Sequence, residues 1–413
     1  MESLSKLSKN RFSLEKCEIS DICLFIFFCV INGNRTQELT DRVLYVVTFS
    51  LLLFSSYFLY VWKPKSQNKP RKKIGNIFIA WVILFWLYAL SSTIWSVDRS
   101  SSLDTTMMDD ILQAVTILPY LIVRVNSKED FLFILKLYVF ASLYGVFMLV
   151  LKTPIGAWGT ERVGNAIGLH SNSVGMNMAY ASFISFFLAK ETKNWKYFLL
   201  IIAFLPVVVF SGSRKAIFIF LLSITLLWVL TGKGIKGLLY LLLAFAVVVV
   251  FFNIVMSNQV LYGIIGSRLD GLFSYFTGVG QVDSSSEYRD MYRTYALQIW
   301  MEYPLFGSGL NTFRYFNQLF LTGVYVYCHC NYLEILSGLG LVGFALYYSI
   351  FVLMGKRLIK SFNRHKTNLV IFCFVFLVCR FIFDYGFVSY SEFQTFLYLA
   401  LIFCGTRISE KET

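Results

Sequence analysis

Residues 238–252 read LLYLLLAFAVVVVFF and contain no charged residue. With its neighbours, this run forms an apolar segment over residues 236–256, which matches the ~20 residues that an α-helix needs to cross the hydrocarbon core of a membrane. The alternation of apolar and polar residues that is typical of a membrane barrel strand does not occur in it. The stretch therefore predicts a transmembrane helix, and similar runs recur along the chain.

The composition of the 413 residues extends this prediction to the whole chain. Hydrophobic residues make up 57% and charged residues 15%, whereas soluble domains are usually about 45–50% apolar and about 25% charged. This composition excludes a soluble enzyme, a disordered chain and a fibre. We expect an all-α polytopic membrane protein with about 12 transmembrane helices. The predicted spans lie near 18–33, 43–62, 77–96, 107–123, 131–151, 172–189, 195–210, 214–231, 236–256, 331–354, 368–384 and 391–405.

The basic residues indicate which loops face the cytoplasm. With the N-terminus inside, the inner segments carry 24 of the 37 Lys and Arg and the outer segments carry 11, as the positive-inside rule expects. The net charge of +13 is therefore mostly a topology signal and does not indicate nucleic acid. This orientation divides the chain into a first membrane part of about nine spans (1–256), a long extracytoplasmic loop (257–330) and a last part of about three spans (331–413).

The outer basic residues differ from the inner ones in kind, because nine of the eleven are arginine. The planar guanidinium fork of arginine suits a phosphate group better than the ammonium of lysine does. A phosphate-bearing ligand on the outer face would explain this choice. The nine are Arg35, Arg42, Arg99, Arg162, Arg214, Arg268, Arg289, Arg293 and Arg314.

The long outer loop has helix signals of its own. Ser284-Ser-Ser-Glu287 is a capping box that opens a helix, and Pro304 ends that helix before the glycine turn Pro304-Leu-Phe-Gly-Ser-Gly309. Arg289 and Arg293 are four residues apart and share a helix face. The alternative to a binding role for them is local pairing with acidic neighbours on a solvated face.

Three other outer positions are candidates for chemistry. Arg214 follows the short turn Ser211-Gly-Ser at a helix N-terminus, where free N–H groups attract anions, although a snorkelling arginine is the alternative. His329 stands where the long loop re-enters the membrane, and its side chain suits proton transfer, although a structural histidine is the alternative. Asp384 lies four residues after Arg380, so the two form either a structural pair or part of a site.

Two motif details bear on His329. Cys328 and Cys330 flank it, but three adjacent residues cannot easily surround one metal ion, so no metal site is predicted. Gly340 and Gly343 would permit tight helix packing that fixes the start of this helix in place.

Together these motifs resemble those of the bacterial O-antigen ligase and polysaccharide (O-antigen, capsule) polymerase superfamily of integral membrane glycosyltransferases. The first part of the resemblance reads Asn172, Ser213-Arg214, Arg289, Ala296, Pro304-x-x-Gly307-x-Gly309 and Phe313. The second part reads His329-Cys-Asn-Tyr332-Leu and Gly340-x-x-Gly343. The sequence departs from the pattern at two positions: Cys330 stands where Asn is usual, and Arg293 where Trp is common.

The resemblance implies a GT-C-like enzyme that transfers a glycan from undecaprenyl diphosphate to an acceptor sugar outside the bacterial plasma membrane, by inversion and without a metal or other cofactor. It implies catalytic roles for His329, Arg289 and Arg214, and arginine clamps would stabilise a departing diphosphate. The substrate-binding candidates from the motifs are Asn172, Asn331 and Tyr332. Arg293 and Asp384 are added as candidates because of where they lie in the sequence. Expected partners are the lipid-linked donor and acceptor, membrane lipid, a flippase and a chain-length regulator.

Three functions remain open at this point. A polymerase would transfer a growing glycan to a lipid-linked repeat unit, and a ligase would transfer the finished glycan to a lipid A core. The polymerase is favoured because nothing in the sequence marks a lipid A acceptor site. A flippase of polyprenyl-linked sugars is disfavoured, because transporters commonly show paired halves and none is evident here.

Overall fold

The computed structural model of the protein describes residues 18–33, 43–52, 54, 77–102, 117–232, 235–277 and 284–412. Within these ranges the regular structure is helical and no strand forms. The helices of eight residues or more are α1 Ile19–Gly33, α2 Val43–Leu52, α3 Ile77–Ser91, α4 117–124, α5 Lys128–Lys152, α6 Ser171–Thr192, α7 Lys196–Phe210, α8 Arg214–Thr231, α9 Ile235–Ser257, α10 Ser267–Thr277, α11 Ser284–Glu302, α12 Asn331–Arg364, α13 Asn368–Phe383 and α14 Phe393–Glu412.

Several of these helices are long and apolar enough to cross a membrane. In the described part of the chain there are five, namely Ile77–Ile94, Lys128–Lys152, Arg214–Thr231, Lys236–Ser257 and Asn331–Arg364, with α1, α2, α7 and α13 as shorter apolar helices. The prediction of a helical, polytopic membrane protein is confirmed. The total of twelve spans and the GT-C arrangement stay predictions, and parts of the predicted spans 43–62 and 107–123 lie outside the described residues.

Helix α9, which contains the apolar run 238–252, shows how such a helix suits lipid. Leu242, Phe245 and Val250 are each more than half exposed along it. In water this surface would be unfavourable by roughly 25 cal/mol per Å² of apolar area. In a bilayer the surrounding acyl chains are as apolar as the side chains, so the exposed surface carries no such penalty.

The chain forms two compact units. The first contains the described residues of 1–70 and 132–266, and the second contains those of 71–131 and 267–413. In the first unit α6 packs against α7 and α8. In the second unit α12 is central, because α3, α11, α13 and α14 all pack against it.

Helix α12 is broken at Gly340, whose backbone is left-handed in φ (65°) and extended in ψ (−169°). The turn 304–309 supplies hydrogen bonds to the backbone groups around this break. The N–H groups of Leu341 and Val342 donate to the carbonyls of Pro304 and Leu305 (2.9 and 3.1 Å), and those of Ser308 and Gly309 donate to the carbonyls of Ser337 and Gly338 (2.9 and 2.8 Å). Non-helical backbone within a membrane protein is stable when it is paired in this way.

Glycine is required at this contact because two backbones touch. A Cβ on Gly307 would lie 2.3 Å from the carbonyl group of Gly338, and a Cβ on Gly340 would lie 2.3 Å from the carbonyl oxygen of Leu305. The expectation that Gly340 serves the packing of one helix on another is therefore corrected: it receives the turn of the outer loop. Gly343 does face another helix, since its Cβ would lie 3.0 Å from the ring of Tyr88.

Candidate active site

His329 lies between two aromatic rings at the junction of the outer loop and α12. The Tyr292 ring is stacked on it at a centroid distance of 6.2 Å, and the Tyr327 ring lies 4.4 Å away. Its φ of 60° is in the left-handed region, which side chains other than glycine adopt rarely and at a cost. Cys328 and Cys330 are buried, whereas His329 is partly exposed. The backbone conformation thus presents the imidazole and hides both thiols.

The predicted loop helix is confirmed as α11, which begins at Ser284 and ends at Glu302. Its residues Tyr292, Ala296 and Ile299 are buried in one cluster with Phe313, Cys328 and Cys330. This packing fixes α11 against the segment that carries His329. Sequence periodicity predicts a stripe of Tyr288, Tyr292, Tyr295 and Ile299; Tyr292 and Ile299 are buried as predicted, whereas Tyr288 is 53% exposed.

Arg293 lies on α11 beside this cluster, and its guanidinium makes two contacts. It donates to the carboxylate of Asp290 and stands over the ring of Tyr385 at 4.9 Å. Burial acts to raise the pKa of Asp290, but hydrogen bonds from Tyr275 and Arg293 hold this pKa below its ordinary value. The local pairing that the sequence offers as an alternative to a site role is therefore present.

Arg289 lies one helical turn earlier on α11 and is partly buried. Arg289 is close enough to Tyr327 to affect its pKa. Burial raises the pKa of the Tyr327 phenol, whereas the nearby charges of Arg314 and Arg289 act to lower it. Tyr327 is the residue whose ring packs on His329. Tyr327 is therefore close to His329 and within electrostatic range of Arg289, whereas Arg293 contacts Asp290 and Tyr385.

Asn331 and Asp384 are fully buried in a polar network. The Asn331 amide oxygen accepts the N–H groups of Ser389 and Tyr390 (2.8 and 3.0 Å), and its nitrogen donates to Tyr348 Oη (2.9 Å) and Asp384 Oδ2 (3.2 Å). Asp384 also accepts from Ser389 Oγ at 2.7 Å. These bonds hold the segment 384–390 against the start of α12. Substrate contact by either residue stays a prediction.

Tyr332 and Arg380 belong to the same region. The Tyr332 hydroxyl donates to the carbonyl of Phe381, and its ring stacks on Tyr348 at 5.1 Å. Arg380 donates to Asp384 at 3.5 Å and to Thr395 Oγ1 at 3.0 Å. The structural pair that the sequence allows for Arg380 and Asp384 is therefore observed.

Arg214 belongs to the first unit, where it is the first residue of α8. The short turn 211–213 that the sequence predicts separates α7 from α8, with Gly212 at a φ of 60°. Ser213 caps the helix, because its Oγ accepts the N–H of Ala216 at 3.4 Å. The Arg214 side chain lies at this N-terminus and is only 8% exposed.

Arg162 joins Asn172 to that turn, and the sequence did not single it out beyond the set of outer arginines. Its Nε donates to the carbonyl of Ser211 (2.7 Å) and its Nη2 to Asn172 Oδ1 (2.6 Å). His170 caps α6, since its Nδ1 accepts the N–H of Asn172 at 3.2 Å. Burial, together with the charges of Arg162 and Lys215, lowers the pKa of His170. Because 49 residues separate Arg162 from Ser211, no local pattern predicts this contact.

Among the residues that the structure describes, no cluster of three or more His, Cys, Asp or Glu side chains could hold a metal ion. The Cys328 thiol instead donates to the carbonyl of Cys330 at 3.1 Å.

These features define a helical membrane protein with a histidine and basic residues where the long loop meets a broken helix. Residues 197–348 match the family model described as O-antigen ligase. The matched segment contains Arg214, Arg289 and His329, so the resemblance drawn from the motifs is confirmed. This part of the chain is thus similar to the O-antigen ligase family, which supports the resemblance to the O-antigen ligase and polysaccharide polymerase superfamily. A comparison with curated proteins gives no match.

Proposed function

We propose that the protein is a polymerase of a surface polysaccharide, either O-antigen or capsule. It transfers a glycan from undecaprenyl diphosphate to a lipid-linked repeat unit on the outer face of the bacterial plasma membrane. The observation that carries this proposal is the position of His329 between Tyr292 and Tyr327, with the charge of Arg289 acting on Tyr327. The family match over residues 197–348 supports it.

In this proposal His329 is the general base. It takes the proton of the acceptor hydroxyl while that oxygen attacks the anomeric carbon of the donor from the side opposite the diphosphate. The new glycosidic C–O bond forms as the C–O bond to the diphosphate breaks, which inverts the anomeric centre and leaves the bonding electrons on the lipid diphosphate. A positioned base contributes typically 10²–10⁴-fold to such a step, and the two tyrosine rings supply the positioning.

The arginines stabilise the negative charge of the departing diphosphate. Arg289 is proposed to bind it through charge-assisted hydrogen bonds, which are shorter and stronger than neutral ones. Arg214 is proposed as a further diphosphate ligand on the strength of its Ser-Arg motif and its position at a helix N-terminus. Arg293 is a weaker candidate because Asp290 and Tyr385 already engage its guanidinium.

The remaining predicted substrate-binding residues have a supporting place in the proposal. Asn331, Tyr332 and Asp384 hold the backbone around the His329 junction through their observed hydrogen bonds. Asn172 is proposed to bind substrate together with Arg162, which is hydrogen-bonded to it.

The test is transfer activity of purified variants in detergent. The substrate is the lipid-linked glycan extracted from cells that lack the protein. We expect His329→Ala to lower the rate by about 10²–10⁴-fold. We expect Arg289→Ala to lower it by about 10–100-fold, the equivalent of one charge-assisted contact of ~1.5–3 kcal/mol. The matched controls are His365→Ala and Arg364→Ala, both exposed at the far end of α12, which should keep the rate of the wild type. Full activity in either site variant would contradict the proposal.

The ligase is the second candidate, because the matching family model is described by that activity. The two functions leave different intermediates in cells without the protein. Single repeat units on the lipid would indicate a polymerase, whereas full-length polymer on the lipid would indicate a ligase. A flippase would form no glycosidic bond in the purified system.

A further inference from the structure

Glu334 is a buried carboxylate next to the proposed base, and the mechanism above does not use it. It lies in the first turn of α12 and is only 2% exposed. Its Oε2 accepts the N–H of Cys328 at 2.8 Å. Cys328 is itself fully buried, so water cannot replace this acceptor. The hydrogen bond therefore holds the residue that directly precedes His329.

The second carboxylate oxygen sets Glu334 apart from an ordinary helix cap. Oε1 is buried and makes no hydrogen bond within the described part of the chain. Burying a polar oxygen without a partner destabilises a protein by roughly 1–3 kcal/mol. Because no hydrogen bond within the described part of the chain offsets this cost, stability alone does not account for the buried carboxylate.

The surroundings of Glu334 reach His329 by a second route. Arg314 lies within electrostatic range of the Glu334 carboxylate. The Arg314 guanidinium stands over the ring of Tyr327 at 5.5 Å, and that ring packs against His329 at 4.4 Å. Glu334 is thus linked to His329 in two ways: through the backbone of Cys328 and through Arg314 and the Tyr327 ring.

We propose that Glu334 is the positioning residue of His329, because its hydrogen bond to the Cys328 N–H maintains the left-handed backbone that presents the imidazole. It acts through His329 and does not touch the substrate. This inference rests on the proposed function only in taking His329 as the base. A displacement of the base of about 1 Å is enough to slow a reaction by about 10²-fold.

Two conservative variants separate the hydrogen bond from the charge. Glu334→Gln keeps an acceptor at the same reach and removes the charge. Glu334→Asp keeps the charge but is one methylene shorter, so it loses the bond to Cys328. With lipid-linked glycan from cells lacking the protein, we expect the Gln variant to stay within about threefold of the wild-type kcat. We expect the Asp variant to lose about 10–100-fold in kcat with little change in KM. Glu302→Asp, at the exposed end of α11, is the matched control.

A double variant shows whether Glu334 acts through His329. Adding Glu334→Asp to His329→Ala should not slow the residual reaction further, because the group to be positioned is gone. Three results would overturn the inference: a wild-type kcat in folded Glu334→Asp, an equal loss in the Gln and Asp variants, or the same fold-loss from Glu334→Asp with and without His329. If His329→Ala alone keeps the wild-type rate, the proposed function fails. If that variant is inactive and Glu334→Asp is not, only this inference fails.

Discussion

Replacing Asn331 by alanine tests whether this residue mainly builds the site or mainly contacts the substrate. The change removes the acceptor of two buried N–H groups, those of Ser389 and Tyr390, and a donor to Asp384. Each buried group left unpaired costs about 1–3 kcal/mol, so the two N–H groups alone give a loss of about 2–6 kcal/mol. Because the whole free energy of unfolding of a typical protein is about 5–15 kcal/mol, this loss is a large share of it.

The measurement is the thermal unfolding midpoint of purified protein in detergent, followed by intrinsic fluorescence. At ~2–4 °C per kcal/mol for a unit of this size, Asn331→Ala should lower the midpoint by about 10 °C. Asn253→Ala is the matched control, since Asn253 is exposed on α9 and bonds only to its own helix at Val249. If the midpoint of Asn331→Ala equals that of the wild type while activity is lost, the residue serves the substrate and the structural reasoning is wrong.

Three further predictions use matched variants or pH. Gly307→Ala should prevent accumulation of folded protein, because its Cβ would meet the Gly338 carbonyl at 2.3 Å. Its control is Gly323→Ala, which has a similar left-handed φ but open space around the Cβ and should lower the free energy of unfolding by only about 1–2 kcal/mol. The two variants are compared by expression level and unfolding midpoint. Gly175→Ala should lower the midpoint, because its Cβ would lie 2.3 Å from Ser211 Oγ, whereas Gly156→Ala meets no atom within 4 Å and should leave the midpoint unchanged. The pKa of His170 is lowered in the folded protein, so folding favours the neutral imidazole that accepts the Asn172 N–H. The stability that this adds is fully present above the unfolded pKa of ~6.5 and is lost as the pH falls through the lower folded pKa. His170→Asn keeps a capping acceptor that does not titrate, so the wild type should lose stability relative to it between about pH 7 and pH 5; parallel curves would contradict this reading.

Short local patterns in the sequence were sufficient to predict several elements of the fold. The capping box and the proline at 304 predict a helix over Glu287–Tyr303, and α11 begins three residues earlier and ends one residue earlier. The turn before Arg214 was equally readable, because a serine cap precedes an apolar run. These predictions succeeded because both the signal and the structure span only a few residues.

The end of α12 was predicted less well. The span was expected to stop near residue 354, but the helix continues to Arg364. The Lys- and Arg-rich segment there signals the cytoplasmic side, and it was taken for a loop. Lysine, arginine, leucine and isoleucine are nevertheless adequate helix formers, and no proline occurs between Asn331 and Arg364. Charge reports the side of the membrane and not the end of a helix.

The non-local parts of the site could not be predicted. Asn331 and Asp384 are 53 residues apart, and no local sequence pattern around either residue predicts contact with the other. The same holds for Arg162 and Ser211. Motif spacing singled out His329 and Gly340. It could not show that His329 has a left-handed backbone or that Gly340 faces a turn from the outer loop, because both facts depend on chain segments brought together only by folding.

The pairing between the turn 304–309 and the broken helix α12 also limits how the outer loop can move. Lifting the turn would break four backbone hydrogen bonds and leave two N–H and two C=O groups of α12 without these partners, and each unpaired group is unfavourable wherever water cannot reach it. The segment is therefore unsuited to act as a lid that opens for each substrate, and the junction at His329 stays assembled. An enzyme that repeats one transfer many times on a lengthening chain would meet the same rigid surface in every cycle, so that only the glycan, and not the protein, has to be repositioned.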